Sequence, residues 1–121
     1  MNAYYKTEAE ILAVVKGFEK CTTGKDDFSH ISHLTVATYY LCRSNPSESF
    51  EKMRLALLRF LDYHSTDRTH YKEQLTRDWI ALIRQVVEQM EPETTLVDVT
   101  NEVIQRFGEF RIPEPGNEES L

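Results

Sequence analysis

The sequence predicts an all-α fold, a single compact bundle of about five helices. Three observations carry that expectation. The chain has 121 residues, the length of one domain. Its apolar residues recur at the three- and four-residue spacing of a helix face. It has only four Gly and four Pro, few for an all-β domain, which spends such residues on turns. A chain of this size buries roughly two-thirds of its unfolded surface, so it needs neither disulfide nor metal to fold. A composition 40% hydrophobic and 28% charged is that of an ordinary globular protein.

Each helix has its own signals. Thr7-x-x-Glu10 matches a capping box, followed by Ile11, Leu12, Val14, Val15 and Phe18, with Gly24 as a stop. Asp26 or Asp27 is placed to cap a second helix from about Phe28 to Arg43. Asn45-Pro46 breaks the chain and sets Pro in the first turn of a third helix, whose face holds Phe50, Met53, Leu57, Phe60, Leu61 and His64. Thr66 or Thr69 opens a fourth, with Leu75, Trp79, Leu82, Ile83, Val86, Val87 and Met90 on one face, ended by Pro92. Thr95-x-x-Asp98 opens a shorter fifth through Val99, Val103, Ile104 and Phe107. Residues 1–110 form the helical domain; residues 111–121, with Pro113, Pro115, Gly116 and several Glu, read as an extended, partly disordered acidic tail.

Charge narrows the function classes. Residues 1–90 carry 12 basic and 12 acidic side chains, so the net charge of −6 comes from residues 91–121, where eight acids face Arg106 and Arg111. A neutral body with an acidic end lacks the basic excess of a nucleic-acid binder. The polar, acidic N-terminus is no signal peptide. The longest uncharged stretch, Phe28 to Cys42, is too short to span a bilayer. Cys21 and Cys42 form no Cys-x-x-Cys and are expected as reduced, buried thiols of a cytoplasmic protein.

That uncharged stretch is the first feature asking for a chemical explanation. Apolar and aromatic residues occur all round it, so it should be the central helix, covered by the others. It carries His30 and His33, three residues apart and therefore on one side. Two imidazoles so spaced can share a divalent metal with a carboxylate from another helix, Glu73 being the candidate. Alternatively each is a partly buried histidine bonded to a carbonyl or a tyrosine hydroxyl, Tyr40 being aligned with His33. On the fourth helix, Lys72 and Thr76 project into the apolar face and Glu73 falls near its edge, a costly placement unless they find partners or reach water at the bundle rim. His64, ending the third helix, suits the helix dipole. His70 falls on the solvated side, and Trp79 is expected in the core.

The run Phe28-Ser-His30-Ile-Ser-His33-Leu34, followed by Ala37 and Tyr40, resembles the opening motif of a group of small uncharacterised bacterial proteins. In that group a Phe/Trp-x-His-x-x-His-Leu segment is followed by Tyr-His-Glu-Thr-x-Thr-x-x-Trp. The matching stretch here is Tyr71-Lys72-Glu73-Gln74-Leu75-Thr76-Arg77-Asp78-Trp79. The resemblance covers about residues 28 to 80 and implies positions rather than an activity. Two positions depart from it: Lys72 replaces the histidine, and Gln74 the first threonine. A protonated lysine has no lone pair for a metal, so the departure weakens ligation and leaves a cation for an anionic partner.

Two functional readings follow. In the first, a polar pocket between the second and fourth helices binds a small ligand or a metal. His30, Tyr40, Lys72 and Thr76 would contact the ligand, and His30, His33 and Glu73 would hold the metal. If the site is catalytic, His33 acts as general base oriented by Glu73. In the second, the chain is a non-catalytic interaction module, and the same polar residues form a hydrogen-bond network that fixes helix packing.

Overall fold

A computed structural model describes residues 4–110. Five α-helices follow one another: α1 (Glu8–Glu19), α2 (His30–Arg43), α3 (Pro46–Tyr63), α4 (Glu73–Gln89) and α5 (Leu96–Phe107). Single 3₁₀ turns, Lys25–Asp27 and Arg68–His70, lie in the α1–α2 and α3–α4 connections. Among the described residues no strand occurs, and no helix is long and apolar enough to cross a membrane. The expected all-α bundle is thus present; the proposed acidic tail, 111–121, lies outside the described residues.

The helix starts follow side-chain chemistry. Thr7 and Asn45 each form a reciprocal capping box, with Glu10 and Glu48, and Thr95 accepts from the Asp98 amide. Two boundaries differ from expectation. α2 is capped by Ser29, whose hydroxyl accepts from the Ser32 amide, while Asp26 and Asp27 belong to the preceding 3₁₀ turn. α4 begins at Glu73 rather than near Thr66 or Thr69, because Arg68–His70 forms its own turn, with the Asp67 side chain accepting from the Thr69 amide.

The ends of α1 and α3 use one device. The amide of Thr22 bonds to Gly17 and that of Cys21 to Phe18; the amide of Thr66 bonds to Leu61 and that of Ser65 to Asp62. Both pairs are Schellman closures, with Cys21 (φ 60°) and Ser65 (φ 56°) in the left-handed position glycine usually takes. So α1 stops at Glu19, ahead of Gly24. A Cβ at Gly17 would meet the Thr23 hydroxyl, which would have to turn aside.

α2 is the central helix and packs against all four others. Its middle, Leu34 to Thr38, is buried on every side, and Thr35 and Thr38 satisfy their hydroxyls on the carbonyls one turn back. One apolar cluster joins α1, α2 and α3 through Ile11, Val15, Phe18, Val36, Leu57 and Phe60. The other joins α2, α4 and α5 through Leu34, Leu41, Ile83, Val86 and Val103. The N-terminal stretch is tied to α5 by a two-way amide pair between Tyr5 and Asn101, both bonds 2.9 Å. Cys21 is buried as expected. Cys42 is exposed, because the end of α2 emerges from the bundle.

Candidate functional site

The first turn of α2 and the first two turns of α4 enclose a small cavity between the two core clusters. His30 and His33 border it from α2, and Lys72, Thr76 and Trp79 from the start of α4. Apolar walls come from both helices and from Met53 and Leu57 of α3. About 30 Å³ is open to the centre of a water molecule, room for one or two waters.

The two histidines differ in state. The His30 Nε2–H donates to the carbonyl of Phe107, at the end of α5, at 2.9 Å. Its ring leans on Trp79, centroids 5.1 Å apart, and Trp79 meets Phe107 and Phe110 edge-on. The His33 ring packs edge-on against Phe28 at 4.8 Å, and neither of its nitrogens has a hydrogen-bond partner among the described residues. Burial, then the charge of His30, pushes the His33 pKa down to about 3. His33 is therefore neutral near pH 7 and carries one N–H donor and one lone pair. An imidazole whose conjugate acid is this strong is a weak base at neutral pH, better suited to a hydrogen bond than to proton abstraction.

Lys72 is the residue before α4, in extended backbone, and forms no ion pair among the described residues. The Thr76 hydroxyl donates to the Lys72 carbonyl at 3.1 Å. The spacing 72, 76, 79, 80, 83 is one stripe of α4, which is why these residues share the cavity.

Two sequence candidates stand elsewhere. Glu73 is exposed in the first turn of α4, with its carboxylate 3.2 Å from Arg54 of α3 and 3.5 Å from Arg77. It faces neither histidine, so it orients no base, and the ligand set His30, His33, Glu73 is not assembled. No three His, Cys, Asp or Glu side chains converge to hold a metal among the described residues. Tyr40 is aligned with His33 in rotation, but seven residues carry it about 10 Å further along the axis. There its hydroxyl donates to Glu19 of α1 at 2.6 Å, and burial together with that carboxylate holds its pKa well above the usual value.

Trp79 is a half-buried wall of the cavity rather than a core side chain. The Phe107 carbonyl is a partner that no sequence motif marks. His64 has the expected structural role: it caps α3, and its Nε2–H donates to the Thr23 carbonyl at 3.1 Å. His70 is exposed, as its position on the polar side implied. Compared with known protein families, with characterised proteins and with solved structures, the chain matches none.

Proposed function

We propose that the chain is a small cytoplasmic binding protein whose α2–α4 cavity takes a small molecule bearing a carboxylate or carbonyl group. The observation that carries this reading is the His33 ring, which borders the cavity without a hydrogen-bond partner of its own. The ring is partly buried, and its nitrogens stay available to a molecule that enters the cavity. Lys72 supplies a positive charge at the same opening, which suits an anionic oxygen. Binding is favoured over catalysis because no carboxylate orients His33 and burial makes it a weak base. The room available favours a ligand head of about the size of one or two waters.

Titration with formate and acetate, followed through the ring resonances of His33, tests the reading. Saturable shifts are expected in the parent protein, with loss in Lys72→Met while the fold persists. Absence of a saturable shift, or a response unchanged in Lys72→Met, would defeat it. Parallel titration with zinc, nickel, manganese and iron salts addresses metal ligation, which the placement of Glu73 disfavours.

A further inference from the structure

On the far side of the bundle a groove runs between α3 and the ends of α1 and α2. Tyr39, Tyr40 and Arg43 of α2 face Lys52, Leu55 and Arg59 of α3 across it. Leu55 and Arg59 also border a second depression, which continues along α3 to Leu58 and Tyr63. The two share Leu55 and Arg59 and lie along α3 as a shallow, open groove.

Of the carboxylates around this channel two are ion-paired, and Glu19 is held by a hydrogen bond and keeps its charge beside the cations. Glu19 accepts from the Tyr40 hydroxyl, Glu51 pairs with Arg54, and Asp62 pairs with Arg68 at 2.7 Å. Arg43, Lys52 and Arg59 form no ion pair among the described residues. Arg43 lies over the Tyr39 ring at 5.2 Å, Lys52 donates to the Ser44 hydroxyl, and Arg59 donates to the Glu19 carbonyl. Three cations without carboxylate partners thus gather in a chain whose net charge is −6. Beside them Leu55 is 52% exposed and Tyr63 66% exposed, large apolar side chains left in water. They give the groove two apolar footholds beside its cations.

We propose that this channel binds an acidic peptide segment of a partner protein. Its carboxylates lie on Arg43, Lys52 and Arg59, and its apolar side chains cover Leu55, Leu58 and Tyr63. A free phosphate or carboxylate would use the cations but leave Leu55 and Tyr63 uncovered.

Selection of a display library of random peptides about a dozen residues long against the full chain tests this. Enriched sequences should carry excess Asp and Glu with interspersed apolar residues, and bind more weakly as salt rises. Binding should fall by about tenfold or more in Arg59→Glu and in Leu55→Asp, each checked for an unchanged circular dichroism spectrum. Lys72→Met should leave it unaltered, which separates this channel from the α2–α4 cavity. No enrichment, enrichment without acidic excess, or peptides indifferent to both channel variants would overturn the proposal. Binding of anionic vesicles by a protein that selects no peptide would overturn it in favour of a lipid surface.

Discussion

His30 and His33 stand one turn apart on α2, yet the ring of His30 is bound to the Phe107 carbonyl at 2.9 Å while that of His33 has no hydrogen-bond partner among the described residues. The first ring holds the end of α5 against α2. The second is a neutral, partly buried group between Phe28 and the cavity. The two residues should therefore answer differently to substitution and to pH.

For His33 the sign follows from its depressed pKa. The unfolded chain takes a proton on this ring below about 6.5, whereas the folded chain resists until about 3. Between those values the unfolded state binds more protons, so stability falls as pH falls, approaching about 1.4 kcal/mol per pH unit. Urea unfolding at stepped pH values should show this decline beginning near 6.5. His33→Phe should flatten it above pH 5, before Asp62 and Asp67, which their partners hold below the usual carboxylate range, begin to protonate. Identical slopes in parent and variant would remove burial of a neutral His33 as the cause.

For His30, replacement by Phe keeps a ring beside Trp79 but removes one of the two bonds the Phe107 carbonyl accepts, leaving that from the Phe110 amide. Losing a part-buried hydrogen bond whose acceptor keeps a second donor costs about 1 kcal/mol. Trp79 is the single tryptophan and touches both His30 and Phe107, so its emission should shift together with the lowered melting temperature. A variant as stable as the parent would show that the His30 bond contributes nothing to holding α5.

The fold was legible because its signals are local. The capping boxes at Thr7 and Asn45, and the 3.6-residue stripes, announce helices without any tertiary information. The site was legible in part: His30, His33, Lys72 and Thr76 do meet at one cavity, since each pair obeys helical spacing. What escaped depended on neighbours. The helical rise sets Tyr40 about 10 Å along the axis from His33, but nothing local signals that Glu19 stands there to accept its hydroxyl. Glu73 depends on where α4 begins, which the separate 3₁₀ turn at Arg68–His70 decides, and on Arg54, which belongs to α3. The left-handed ends at Cys21 and Ser65 carry no glycine to signal them.

Glu73 offers a direct check on that placement. Its two ion pairs are exposed, so Glu73→Gln should change stability by less than about 1 kcal/mol. The ring resonances of His33 should not move. A large loss of stability, or a displaced His33 signal, would put the carboxylate back in the cavity.

Thr100 is fully buried on α5, and its hydroxyl finds no hydrogen-bond partner among the described residues. Valine has nearly the same shape and removes the unmatched polar atom. Thr100→Val should raise stability by about 1 kcal/mol, roughly 4 °C in melting temperature for a domain of this size. A fall would mean that the hydroxyl is bonded in solution, to water or to a carbonyl of its own helix.

Ser65 and Cys21 hold the same backbone conformation at the ends of two helices but differ in what their side chains do. Each is an L-residue at φ near 60°, a geometry that costs a side-chain-bearing residue about 1–2 kcal/mol. Glycine removes that cost, partly offset by the greater freedom it gives the unfolded chain. The Ser65 side chain is exposed, so Ser65→Gly loses no packing and should stabilise the protein by up to about 1 kcal/mol. Cys21 is only 5% exposed and belongs to the α1–α3 core, so Cys21→Gly loses apolar burial along with the strain and should show no such gain. Chemical denaturation of the two variants side by side separates the terms. A gain at Cys21 equal to that at Ser65 would mean that the buried thiol contributes nothing to the core.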